Sequence, residues 1–227
     1  MSGAFLHLRD LRFRHRGGPF EMTLPELVVE RGEAVACVGP SGCGKTTLLE
    51  LMVGIRRPDA GRIEVGGIRL DTLGDSALRR WRRRHVGLVF QELRLLESLT
   101  ALENILLPYH LDGRLGDLAA ATTRARGLAA SMGVDGLLRR KPRRLSQGER
   151  QRIAVCRALV TEPALLAADE PTGSLDPESA ANATGLLLEV ARRDGRTLFM
   201  VTHDHSLLDR FDRVVEMRAL LAAGASS

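Results

Sequence analysis

The stretch GPSGCGKTT, residues 39–47, packs three glycines, one lysine and two threonines into nine positions. Glycines let a backbone curl so that successive N–H groups converge on one anion. The stretch follows the apolar run AVACV (34–38) and opens the helically spaced run TTLLELMVGI (46–55). A G-x-x-x-x-G-K-[ST] loop between a buried strand and a helix is built to cradle a phosphate chain, with the helix N-terminus adding its positive dipole end. Gly39, Pro40, Ser41, Gly42, Cys43 and Gly44 would form the loop, and Lys45 would reach the β- and γ-phosphates. Thr46 would offer its hydroxyl to Mg²⁺, and Thr47 would complete the set of nucleotide-binding residues. Lys45 is one of only two lysines beside 31 arginines. A compact ammonium suits such a cradle where a planar guanidinium does not. The expected ligand is a nucleoside triphosphate.

A second apolar run, ALLAADEP (164–171), ends on two adjacent carboxylates. Alone, such a pair could be solvated turn charges. Beside a phosphate cradle, Asp169 would hold Mg²⁺ through water and Glu170 would polarise an attacking water. The run TLFMVTH (197–203) places His203 at the end of a further apolar strand, on the sheet edge that carries Glu170, within reach of a γ-phosphate. RRLSQGERQRIAVCRALV (143–160) is different: it leads a polar turn into a basic amphipathic helix and holds no nucleophile, base or metal-ligand spacing.

These residues need a scaffold. FLHLRDLRFRH (5–15) alternates apolar and polar residues as a half-buried strand does. ELVVERGEAVACVGP gives another strand, a turn and a fully buried strand, and GRIEVGGIRL (61–70) reads as a hairpin about Gly66-Gly67. From about 92 to 144 the pattern turns helical, broken at Pro108, Gly113, Gly116 and Gly133. Strands return at 164–169 and 197–203, with a helix over 177–193 between them. Strands alternating with helices imply an α/β fold on a parallel sheet.

Length and composition agree: 227 residues, 44% hydrophobic and 27% charged, describe one globular unit. The net charge of +5 rests on arginine, and the dense run RRWRRRHVG (79–87) is either a solvated face or a surface near lipid head groups or phosphates. Cys37, Cys43 and Cys156 are odd in number and form no CxxC pair, so no disulfide framework or zinc site is expected, and a reducing compartment fits. The N-terminus lacks a signal-peptide pattern, and no window reaches the roughly 18 apolar residues of a membrane span. The expected location is cytoplasmic, with any membrane span supplied by another chain.

GPSGCGKTT, VFQ (89–91), LSQGE (145–149), LLAADEP, SLD (174–176) and THD (202–204) occur in the order found in ATP-binding-cassette ATPases, and the chain resembles that family from about Leu6 to Met217. The resemblance implies a P-loop NTPase core (1–91 and 145–227) with an antiparallel β subdomain and an inserted α-helical subdomain (92–144). It implies ATP and Mg²⁺ as cofactors and a head-to-tail homodimer. Ser146 and Gly148 would then contact the γ-phosphate held by the opposite subunit. Gln91 would sense Mg²⁺ and the attacking water beside a membrane partner, and Asp176 would communicate across the dimer. An aromatic residue that stacks on adenine in the family is replaced by His15, with Phe13 two residues away on the same strand face.

The commoner signature reads Leu-Ser-Gly-Gly-Gln, so Gln147 and Glu149 are departures. LTALEN (99–104) resembles the subgroup of lipoprotein-release, macrolide-efflux and cell-division ATPases, although Leu93 and Glu97 depart from its usual Phe and Pro. The resemblance implies an integral membrane permease as partner, peripheral attachment to the inner face of the membrane, and export or extraction as the work done. A regulator of cell-wall enzymes acting through a membrane complex is the alternative. Nucleic acid is not an expected partner, since cassette proteins acting on it often carry two cassettes or long coiled-coil insertions.

Overall fold

The computed structural model describes residues 3–15, 17, 20–111, 116–171 and 177–222. Two sheets organise it. One is antiparallel, in the order β2-β1-β4-β5, from β1 (Ala4–Arg14), β2 (Glu21–Glu30), β4 (Ala60–Val65) and β5 (Ile68–Arg69). Gly66 and Gly67 both adopt positive φ (58° and 79°) and join Val65 to Ile68 in the tight mirror-image turn that suits a two-residue hairpin.

The other sheet has five parallel strands in the order β6-β7-β8-β3-β9: β3 (Ala34–Val38), β6 (Val86–Phe90), β7 (Leu165–Asp169), β8 (Thr197–Val201) and β9 (Arg213–Glu216). Every residue of β3 and β8 is buried, as expected for strands covered on both faces. Successive residues alternate between two cores. Val35, Cys37, Leu165, Ala167, Phe199 and Val201 join the core shared with α1 (Lys45–Met52) and the antiparallel sheet. Ala34, Ala36, Leu166, Ala168, Leu198 and Met200 join the other, under α6 (Gln147–Leu159) and α7 (Pro177–Arg193).

Register aligns the functional edge. Phe90 pairs with Asp169, Asp169 with Val201, and Val201 with Cys37, so four strands end in one row. Whatever follows them (Gln91, Glu170, His203 and the 39–47 loop) emerges on the same side, where ligands bind in open parallel sheets.

The helices refine the sequence expectations. RRWRRRHVG belongs to α2 (Asp75–His85) and the start of β6: Leu78 and Trp81 are buried, and Arg82 donates to the carbonyl of Gly54 at 2.6 Å. The expected helical stretch begins late, because residues 92–100 contain no helix. Leu93 and Arg94 are left-handed (φ 51° and 47°). The buried Asn104 then holds the segment, accepting from Leu96 N and donating to the carbonyls of Leu96, Leu99 and Thr100. Helices α3 (Ala101–Ile105), α4 (Leu107–Leu111) and α5 (Leu118–Ser131) follow, and α3 starts in a capping box formed by Thr100 and Glu103. After β9 the chain closes with α8 (Met217–Ala222). Among the described residues no helix is long and apolar enough to cross a membrane.

Candidate active site

The 39–47 loop leaves β3, which lies between β8 and β9 in the parallel sheet. Gly42 and Gly44 take φ of 77° and 99°, which L side chains adopt poorly. Gly39 is needed for room instead: a Cβ there would fall 2.9 Å from Cys43 Sγ and 3.1 Å from Met217 Cβ. Helix α1 starts at Lys45 with Gly44 as its cap, no side chain bonded at that end and no acidic residue in its first turn. Its leading N–H groups therefore keep their capacity for an anion. Lys45 is only 5% exposed, and its ammonium donates to the carbonyls of Gly39 (2.9 Å) and Pro40 (3.1 Å). The loop thus holds its own lysine in place.

Thr46 Oγ1 donates to Asp169 Oδ1 at 3.1 Å, joining the loop to β7 across the intervening strand β8. Burial pushes the Asp169 carboxyl above its ordinary range, with the Thr46 hydrogen bond pulling the other way. Glu170 follows in a left-handed conformation (φ 42°), its N–H donating to Val201 O at 2.9 Å. That turn aims its carboxylate at the Lys45 ammonium, Nζ at 3.6 Å, and at the His203 imidazole, Nδ1 at 3.3 Å. His203 is 60% exposed at the side chain whereas Glu170 is 23% exposed, so the imidazole forms the solvent side of the pair.

Lys45, Thr46 and Glu170 open onto a cleft of about 460 Å³, lined also by Ser41, Gly42, Gly44, Thr47 and Gln91, whereas Asp169 and His203 are not part of its lining. His15 and Phe20 complete its lining. Phe13 meets the His15 ring edge-on, with centroids 5.7 Å apart. Phe20 went unnoticed in the sequence; its ring lies so close to Gly44 that a Cβ there would sit 2.6 Å from Cζ. No local pattern marks it, because the hairpin return places it: His15 N donates to Phe20 O at 3.0 Å.

The LSQGE segment stands apart from this cleft. Ser146 caps α6, accepting from Glu149 N at 3.3 Å, while Glu149 accepts from Ser146 N at 2.7 Å. This reciprocal pair explains one departure from the commoner signature: Glu149 closes a capping box. The same bonds hold the Glu149 carboxyl below its ordinary range. Ser146 is exposed and Gly148 half-buried, and neither lines the cleft of its own chain. Gln151, also missed, is buried and donates to Pro171 O at 3.0 Å, steadying the turn after Glu170. Its sequence signal was a polar residue on the apolar face that carries Val155 and Ala158. Asp176 and the rest of SLD lie outside the described residues.

A family model described as ABC transporter matches residues 25–173. The lipoprotein-releasing system ATP-binding protein LolD of Chromohalobacter salexigens is 43% identical over 206 residues, 89% of this chain and 86% of that protein. Its counterpart in Cereibacter sphaeroides is 44% identical over 210 residues, 90% and 92% of the two chains. Among solved structures, the dimeric bacterial ABC transporter cassette MJ0796 superposes with a TM-score of 0.81 at 31% identity, covering 93% of each chain. The same cassette in a dimeric post-hydrolysis state, bound to ADP and phosphate, gives 0.78 at 30% identity, again over 93% of each chain. With cradle, carboxylates and fold all in agreement, the chain belongs to the ABC transporter family, as an ATP-hydrolysing nucleotide-binding subunit.

Proposed function

We propose that two copies of this chain close head to tail on ATP, hydrolyse it, and drive a separate membrane permease that extracts lipoproteins, the work named in its relatives. The observation that carries the hydrolytic reading is the Glu170 carboxylate, set between Lys45 (3.6 Å) and His203 (3.3 Å) at the mouth of the phosphate loop. Glu170 takes the proton of the attacking water as its oxygen bonds to the γ-phosphorus and the bond to the β-phosphate oxygen breaks. Lys45 and the N–H groups of α1 balance the phosphate charge, and His203 steadies the γ-phosphate. In the dimer, Ser146 and Gly148 supply the opposite face of that phosphate from the second copy.

The donors suit Mg²⁺. The Thr46 hydroxyl and Asp169 carboxylate are hard oxygens already within 3.1 Å of each other, and Gln91 follows the strand paired with β7. Mg²⁺ is bound through one or two carboxylates plus substrate phosphates rather than by a full protein cage. When bound, it neutralises charge on the β- and γ-phosphate oxygens. The working division is a core of 1–91 and 145–227 with a helical subdomain of 92–144. Beside Gln91, Val86, Leu88, Phe90, Leu107 and Leu111 line a groove of about 290 Å³ whose rim carries Arg82 and Arg94. Leu111 is 66% exposed there, an apolar side chain in want of cover. This groove is the docking place for the permease, which holds the subunit at the cytoplasmic face of the membrane.

Glu170→Gln tests the reading. The variant keeps ATP binding, loses at least about 100-fold in turnover, and accumulates as an ATP-bound dimer in size-exclusion chromatography. Wild-type turnover in that variant would remove Glu170 as the base.

A further inference from the structure

Two residues beyond Gln91 the backbone makes a left-handed corner at Leu93 and Arg94 (φ 51° and 47°), begun by Leu93 N donating to Phe90 O at 2.9 Å. Consecutive left-handed non-glycine residues are disfavoured, so something outside the loop must hold them. The holder is Arg157, on the last turn of α6. Its Nη2 donates to Leu93 O at 2.6 Å and its Nη1 to Arg94 O at 2.7 Å. A guanidinium fork can serve two neighbouring carbonyls at once, which an ammonium cannot match in geometry. Arg94 in turn lays its guanidinium over the Phe90 ring, 4.3 Å from the centroid.

Arg157 does this in an unfavourable place. Burial, with the nearby Arg94, pushes its guanidinium down to about 10. Among the described residues its hydrogen bonds go to these two carbonyls, and no carboxylate pairs with it. A half-buried cation satisfied only by backbone is a costly feature. One residue further on, Ala158 O presses on Gly87 of β6, where an added Cβ would lie 2.3 Å away. The C-terminal half of α6 is therefore fixed to both β6 and the corner beyond it. The other end of the same rigid helix is Ser146, eleven residues or about 16 Å away.

We propose that Arg157 is a positioning residue for Gln91: it ties the corner after Gln91 to the helix that Ser146 caps. A displacement of α6 as Ser146 engages the partner's nucleotide is then delivered to Gln91. This rests on the reading of Gln91 as a residue that senses Mg²⁺.

The test is a Mg²⁺ titration of ATP turnover in the purified full-length chain at saturating ATP. It is paired with binding of a fluorescent ATP analogue and with thermal melting, for Arg157→Met, Arg157→Lys and Gln91→Ala. Misplacing a group by about 1 Å can cost on the order of 100-fold in rate. Arg157→Met should lower turnover about 10-fold or more and raise the Mg²⁺ midpoint several-fold, with analogue binding within about twofold. Arg157→Lys, which can satisfy one carbonyl, should fall between it and the wild type. If Arg157→Met does not fold, the Arg157→Lys midpoint decides. A Mg²⁺ midpoint unmoved in the Arg157 variants while Gln91→Ala moves it overturns the positioning role, whatever happens to the melting temperature. A midpoint unmoved in Gln91→Ala itself overturns the underlying reading of Gln91, and this inference with it.

Discussion

The phosphate-loop edge and the Ser146 end of α6 both present polar groups to solvent, but they are satisfied in opposite ways. At the edge the groups pair with one another across strands: Lys45 with Gly39 and Pro40, Thr46 with Asp169, Glu170 with Lys45 and His203. At the α6 end the capping box consumes only local partners, Ser146 with Glu149, and leaves an exposed surface. The first region is assembled within one chain, its side chains meeting from the start of α1, the end of β7 and the residues after β8. The second is a capped helix N-terminus whose Ser146 and Gly148 lie outside the cleft of their own chain. Under the proposed head-to-tail dimer, that difference would make the second copy complete the site of the first.

The largest effect should come from breaking the α6 end without touching the edge. Ser146→Arg places a bulky cation where a phosphate of the opposite copy must approach. Analogue binding by the monomer should stay within about twofold, while ATP-driven dimerisation, read in the Glu170→Gln background by light scattering, should fall about 100-fold, the size of loss seen at an interface hot spot. Loss of monomer binding would show that Ser146 serves its own chain's nucleotide, and the contrast between the regions would fail.

Next in size is the tie between α6 and the sheet. Gly87→Ala drives a methyl against Ala158 O, Leu166 Cδ2 and Pro163 Cγ, at 2.3, 2.8 and 2.9 Å; the first is backbone of α6 and the last part of a proline ring, so neither can swing aside. Overpacking of this kind costs about 1–3 kcal/mol. Urea unfolding should show it, and turnover should fall with it if α6 must sit squarely on β6. A stability change under about 0.5 kcal/mol would mean the contact is soft.

The capping box gives a smaller, pH-dependent effect. Ser146→Ala should cost about 1 kcal/mol of stability. Glu149 is the sharper probe, because its carboxyl titrates below its ordinary value of 4.5 through the bonds from Ser146. A depressed acid contributes stability that is present above the unfolded pKa and lost as pH falls through the folded one. The gap between wild type and Glu149→Ala should therefore be full at pH 6–7 and shrink below about pH 4.5. A gap that ignores pH would remove the charged cap.

Legibility in the sequence followed the range of the interactions. The phosphate loop, the paired carboxylates and the hairpin at Gly66-Gly67 are each decided within ten residues, and each lies where the pattern put it. The capping boxes at 100–103 and 146–149 are equally local, yet comparison with the signature marks Glu149 as a departure and hides its pairing with Ser146. What could not be read is what strand order decides. The interposition of β8 between β3 and β7, the edge strand β9, and the meeting of Arg157 with Leu93 and Arg94 join residues as far apart as Val35 and Arg213. The helix expected from 92 failed at its first nine residues for a similar reason, since Asn104 and Arg157 supply the backbone partners that a helix would otherwise have provided.

The smallest effect concerns the aromatic lining, where His15 and Phe20 share the cleft and Phe13 meets His15 edge-on. An imidazole offers less stacking area than a phenol ring, and aromatic stacking on a base is worth about 1–3 kcal/mol. Exchanging one ring for a larger one should recover only part of that. His15→Tyr should tighten analogue binding about two- to tenfold with turnover at saturating ATP unchanged, because the change adds binding shared by substrate and transition state alike. Phe20→Ala should loosen it by a similar factor if Phe20 faces the base. If instead Phe20 serves only to pack Gly44, the loss should appear as a lower melting temperature with binding intact. Measured together, the two variants decide whether the adenine is held by one aromatic wall or by two.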